Sequence, residues 1–124
     1  ARPFVTVEDY QELIEDESEN AIFGIDIPFT VVRGHECIEG ILTRSELVNV
    51  QLPQKFKTNT ILEAHLKAEK EGHSFTEDAS LLFYYNPKMK IKIIQGKDYN
   101  IKITTRMDML TGEVIYDEIF RRRM

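Results

Sequence analysis

His35, Cys37 and Glu39 occupy alternate positions of the segment His35-Glu36-Cys37-Ile38-Glu39. On an extended strand, alternate side chains share one face, and imidazole, thiolate and carboxylate are all zinc ligands. A neighbouring imidazole could instead take the thiol proton of Cys37 and leave a nucleophile. Three features weigh against both chemistries. Such neighbours stand ~6.5–7 Å apart, too far to converge on one ion without strain. The second histidine of a helical H-E-x-x-H pair is missing. An unpaired cysteine most often packs as a small hydrophobe. A small metal-dependent or thiol enzyme built on His35, Cys37 and Glu39 is therefore the third of three readings.

A second group of residues is basic. Lys88, Lys90 and Lys92 alternate with Met89, Ile91 and Ile93, and Lys102 and Arg106 fall one expected strand later, with Tyr85 and Tyr99 close in sequence. Single-stranded nucleic acids bind surfaces of this kind, where cations track phosphates and aromatic rings stack on bases. The chain as a whole is acidic, however, with a formal net charge of −5 and a pI near 5.2, whereas dedicated nucleic-acid binders carry a basic domain. Lysines on a sheet also serve to discourage edge-to-edge aggregation. A nucleic-acid-binding module using this lysine-rich face is the second reading.

The first reading rests on opposed charges. Glu8, Asp9, Glu12, Glu15, Asp16, Glu17 and Glu19 crowd the early chain, answered only by Arg2, while Arg121, Arg122 and Arg123 lie at the other end. Complementary ends point to contact, within one fold or between copies, and exposed charge pairs steer association more than they hold it. Val114, Ile115, Tyr116, Ile119 and Phe120 make an expected final strand apolar on both faces, which calls for a cover. The contact residues on this reading are Glu12, Glu15, Asp16, Ile115, Ile119, Arg121, Arg122 and Arg123. The chain is then a non-enzymatic assembly or binding protein acting through protein–protein contacts, self-associating, of the kind found among phage or viral structural and accessory components.

Recognised catalytic signatures are missing: G-x-G-x-x-G, G-x-x-x-x-G-K-[ST], G-x-S-x-G and C-x-x-C do not occur. No cofactor or resident metal is implied. His65 reads as a half-buried hydrogen-bonded residue, and His73 as a group complementing a helix end.

The elements that would position these residues read as α+β: two main helices packed on a mostly antiparallel sheet that ends in a three-stranded meander, with residues 1–124 as a single domain. Thr6-Val-Glu-Asp9 has the spacing of a capping box, followed by Val7, Tyr10, Leu13 and Ile14 at helical intervals. Residues 22–52 read as short strands broken by Gly34 and Gly40 and closed by Pro53. A second helix over 61–71, capped by Thr58 or Asn59, stops at Gly72, with Ile61, Leu62, His65 and Leu66 as its buried stripe. A short helix is expected between Ser74 and Tyr85. Ile101, Ile103, Thr105, Met107 and Met109 alternate with polar neighbours, and Asp108–Glu113 reads as a hairpin loop with Gly112 at φ > 0.

One cysteine excludes an intramolecular disulfide, and no apolar run reaches the ~20 residues of a membrane span. No signal segment is visible, and an alanine start is what removal of an initiator methionine leaves. The expected location is the cytoplasm or a virion.

Overall fold

A computed structural model describes residues 1–123, with Arg123 described by its backbone alone. The chain opens with helix α1 (Val7–Glu15), where the capping box forms: Thr6 Oγ1 accepts from the Asp9 amide at 3.2 Å, and Asp9 Oδ2 accepts from the Thr6 amide at 2.8 Å. Strand β1 (Ala21–Asp26) is the middle of a three-stranded sheet. β4 (Val48–Lys55) runs antiparallel on one side of it and β5 (Lys92–Gln95) parallel on the other. Between β1 and β4 an excursion carries the two-residue strands β2 (Val32–Arg33) and β3 (Gly40–Ile41), which pair with each other, and then a 3₁₀ turn at Arg44–Glu46.

Helices α2 (Thr58–Glu71) and α3 (Asp78–Tyr85) fill the connection from β4 to β5. Gly72 ends α2 in the left-handed region at φ +71°, where a Cβ is disfavoured. Glu77 caps α3, accepting from the amides of Ala79 at 2.8 Å and Ser80 at 2.6 Å. Between α2 and α3 the core is Ala64, Ala68, Leu81 and Leu82. The buried face of α2 is thus its alanine face, and Leu62 and Leu66 stay about half exposed. Small residues let α3 approach closely enough for Leu81 and Leu82 to bury. That contact outweighs the leucine stripe the spacing predicts.

Leu13, Ala21, Phe23 and Ile94 form a second core between α1 and one face of the sheet. Ile22, alternating with Ala21 and Phe23, faces the opposite layer and α3.

The C-terminal third departs most from expectation. The fold is α+β, but four helices pack on a mixed sheet and there is no three-stranded meander. After β5, residues 101–104 form no ladder strand, although Ile103 donates its amide to the Ala1 carbonyl at 2.8 Å. Helix α4 (Arg106–Ile115) follows. It continues through a wider π-type turn at Tyr116–Phe120 and a 3₁₀ turn at Arg121–Arg123. Ile115 and Ile119 therefore lie on helical turns, not on a two-faced strand. Gly112 is buried inside α4, close to Ile103 and Phe4, with no positive φ. Phe120 stacks on Phe4 at 5.1 Å between ring centroids, which brings the two ends of the described chain together through rings.

Candidate functional site

In sheets with parallel strands, ligands bind beyond the strands' carboxyl ends, where connections diverge. Here the parallel pair is β1 and β5, and the chain leaving β5 crosses β1 to reach β4. Gly96 begins that crossing. A Cβ there would run into Gln51 Oε1, so any larger residue would have to displace the Gln51 side chain. Gln51 is buried and donates through Nε2 to the carbonyls of Lys97 at 3.0 Å and Asn100 at 3.3 Å. Asn100, also buried, donates through Nδ2 to the Leu52 carbonyl at 2.8 Å. Arg2 closes the cluster, its guanidinium donating to the carbonyls of Asn100 at 2.6 Å and Val50 at 3.3 Å.

Charge in this cluster is unevenly balanced. Lys97 pairs with Asp9, whose side chain is 5% exposed. Burial pushes the Asp9 carboxyl up, but the hydrogen bonds from Lys97 and Thr6 more than cancel that and hold it below its ordinary range. Among the described residues Arg2 has carbonyl partners only, and its burial lowers its pKa. A guanidinium held by carbonyls keeps its full positive charge. Gln51 Oε1 and Asn100 Oδ1 are buried acceptors without a hydrogen-bond partner among the described residues.

The residues singled out from the sequence are distributed otherwise. His35, Cys37 and Glu39 lie in the turn between β2 and β3, beside Gly34 at φ +125°, and not on a common strand face. Glu39 is engaged with Arg33, 4.0 Å away. Among the described residues no group of three or more His, Cys, Asp or Glu side chains is arranged to hold a metal ion. The lysine row is dispersed: Lys88 and Lys90 precede β5, Lys92 pairs with Asp16 at 2.7 Å, Lys102 is exposed on the segment after Asn100, and Arg106 begins α4. Among the described residues the charged ends do not meet. Arg121 pairs with Asp117 and Arg122 with Glu118, each at 3.2 Å and one helical turn away. Asp16 goes to Lys92, and Glu12 and Glu15 remain on the surface of α1. The side chain of Arg123 lies outside the described residues. His65 meets Asp78 at 2.9 Å across the α2–α3 junction, and His73 is 3.5 Å from Glu71.

Sequence reasoning did not single out Arg2, Gln51, Lys97 or Asn100 as a site. Gln51 carried the one usable signal, a polar residue at an inward position between apolar strand neighbours.

Comparison with known proteins settles the family. The family model for IspD, 2-C-methyl-D-erythritol 4-phosphate cytidylyltransferase, matches residues 1–118. The chain belongs to this family. The cytidylyltransferase of Chlorobium chlorochromatii is 37% identical over 127 aligned residues, 96% of this chain and 49% of its own length. That of Dictyoglomus thermophilum is 40% identical over 121 residues, 93% of this chain and 52% of its own length. The crystal structure of the Thermus thermophilus cytidylyltransferase superimposes with a TM-score of 0.80 at 26% identity, covering 94% of this chain and 58% of that one. The chain spans about half the length of the curated relatives it matches.

Membership overturns the first reading of the sequence. The relatives are enzymes, so neither a non-enzymatic assembly protein nor a phage or viral structural component describes this family, and nothing supports a virion location. The nucleic-acid module and the metal or thiol enzyme at His35, Cys37 and Glu39 fall with it. Among the described residues no helix is long and apolar enough to cross a membrane.

Proposed function

We propose that this chain supplies part of a cytidylyltransferase site that joins the cytidylyl group of CTP to the phosphate of 2-C-methyl-D-erythritol 4-phosphate. The observation that carries the reading is the family match over residues 1–118. In the reaction an oxygen of the sugar-alcohol phosphate attacks the α-phosphorus of CTP. The bond from that phosphorus to the β-phosphate bridging oxygen breaks, and pyrophosphate leaves with the electron pair. Both substrates are polyanionic, so catalysis depends on fixed cations and on aligning the two phosphates.

Arg2 suits that task. Carbonyls of Asn100 and Val50 fix its guanidinium in place, and among the described residues no carboxylate consumes its charge. Lys102 follows Asn100 by two residues on the same segment, exposed, and makes no ion pair among the described residues. Asp9, Lys97 and Gln51 position that segment and act on substrate only through it. The rest of a family-length protein would supply the remaining groups.

The test is pyrophosphate release by the longest natural form of the protein containing this chain, given CTP with 2-C-methyl-D-erythritol 4-phosphate. Release should require both substrates. Lys102→Ala should lower kcat/KM for the phosphate substrate by about tenfold or more, the size of one charge-assisted hydrogen bond, with the circular dichroism spectrum unchanged. Absence of release, or a Lys102→Ala protein as active as its parent, would sink the proposal.

A further inference from the structure

We infer that Phe120 is a positioning residue for the proposed cytidylyl transfer: its ring fixes the segment that carries Arg2 against the segment that carries Asn100 and Lys102. This role rests on the proposed function and adds a residue to the same site.

The ring touches both segments. Phe4, just past Arg2 and Pro3, is buried, and its ring stacks on Phe120 at 5.1 Å between centroids with 17° between planes. Tyr99 directly precedes Asn100, and its ring meets Phe120 edge-on, 5.4 Å away at 85°. Stacked and edge-to-face contacts fix an orientation as well as a distance. Polar bonds join the same two segments: Arg2 donates to the Asn100 carbonyl at 2.6 Å, and the Ile103 amide donates to the Ala1 carbonyl at 2.8 Å. Phe120 braces that junction from the end of α4.

The backbone of α4 leaves the regular helix to make this contact. Gly112 also lies against Phe4, where an added Cβ would stand 3.8 Å from the ring. Seven residues make about two α-helical turns, so an unbroken helix would bring Ile119 onto the face of Gly112. The π-type turn closes later, with the Arg121 amide donating to the Tyr116 carbonyl, and adds one residue. Phe120 thereby takes the place that regular spacing assigns to Ile119. Single π-type turns inside α-helices recur at functional sites.

The junction bears on catalysis because Arg2 and Lys102 are the cations proposed for the substrate phosphates. Aligned groups lose rate steeply when displaced, about a hundredfold for an ångström. A looser junction therefore acts on the aligned transition state more than on substrate capture.

The experiment measures pyrophosphate release and hydrogen exchange on the longest natural form of the protein, as parent, Phe120→Leu, Phe120→Tyr and Ile119→Ala. Leucine keeps apolar bulk without a ring plane, and tyrosine keeps the ring. Phe120→Leu should lower kcat about tenfold with KM for CTP unchanged. Phe120→Tyr should restore the parent kcat, and Ile119→Ala should match the parent. In Phe120→Leu the amides of Ile101 and Ile103 should exchange about tenfold faster, with those of Ile22–Gly24 in β1 at the parent rate. If Phe120→Leu does not fold, Tyr99→Leu, which removes only the edge-on contact, should show the same kcat loss and the same local exchange. Three results would overturn the positioning role while the parent is active: full kcat without the ring, an equal kcat loss in Phe120→Tyr or Ile119→Ala, or a kcat loss without faster exchange at Ile101 and Ile103. A parent that releases no pyrophosphate overturns the proposed activity itself, and this role with it.

Discussion

Asp16, expected from the sequence as a partner-contact residue, is bonded within the fold. It stands at the C-cap of α1, the end of a helix where an acid opposes the macrodipole. Three bonds compensate. Its carboxylate accepts from Lys92 Nζ at 2.7 Å and from the Ser18 amide at 2.9 Å, and its carbonyl accepts from Lys55. One residue thereby ties α1 to the end of β4 and the start of β5. The hydrogen bond from Lys92, followed by that from Ser18, holds the Asp16 carboxyl at about 2, against an ordinary 3.8. A carboxyl with a depressed folded pKa adds stability above its unfolded value and loses it as pH falls through the folded one. The matching rise at Lys92 lies above its ordinary 10.5 and leaves the acid limb to Asp16. Wild type should therefore exceed Asp16→Asn in urea midpoint at pH 6, with the difference closing between pH 4 and pH 2. High salt should shrink it at every pH, because Lys92 is half exposed. Midpoints that differ equally at pH 6 and pH 2 would contradict the assignment. The same pair ties Lys92, one of the expected lysine row, to Asp16.

At the scale of elements, one signature occurs twice. Thr6-Val-Glu-Asp9 and Thr105-Arg-Met-Asp108 are both Thr-x-x-Asp, and both fold as complete capping boxes, the second with Thr105 Oγ1 accepting from the Asp108 amide at 3.1 Å and Asp108 Oδ2 accepting from the Thr105 amide at 2.9 Å. The first was legible because apolar residues at helical spacing follow it. The second was masked, since Ile101, Ile103, Thr105, Met107 and Met109 alternate strictly and period 2 reads as strand. Two local signals conflicted, and the cap decided. The alternation is real only as far as Ile103, which packs against buried Gly112. Beyond Thr105 the chain turns helical, and Met107, Leu110 and Val114 fall on one exposed face. If the cap commits these residues to a helix, Thr105→Ala should cost about 1 kcal/mol of unfolding free energy while Thr105→Ser costs little. Urea denaturation of the two variants checks it, and equal losses would show that bulk at this position matters more than the hydroxyl. The α2 stripe failed for a different reason. Periodicity gives a face to bury but not which of two adjacent faces the neighbour will take, and α3 took the alanines.

For the whole molecule, charge asymmetry suggested that the ends meet, and they do so by other means. Arg121 and Arg122 are satisfied one turn back, while Phe4, Phe120 and Tyr99 bring the termini together through rings. The candidate site was not legible because it has no local motif. Its parts lie at positions 2, 51, 97 and 100, and much of its geometry is carried by backbone carbonyls, which every residue possesses. What the sequence did mark strongly, the Gly34–Gly40 segment, lies outside the core. Among the described residues from Ile27 to Leu47 none is buried, and Phe29, Ile38 and Ile41 are 70% or more exposed. β1 and β4, which this excursion joins, are themselves antiparallel neighbours ending on the pair Asp26–Val48, so a hairpin turn could connect them directly. Replacing residues 27–47 with a Gly-containing turn of about four residues removes no core contact and shortens the closed loop. Loop-closure entropy then favours the shortened protein by about 1 kcal/mol. Its urea transition should stay cooperative, with a midpoint equal to or above that of the parent. A lower midpoint would mean that the excursion stabilises the sheet through contacts its exposure does not reveal, and that β1 and β4 depend on it for their register.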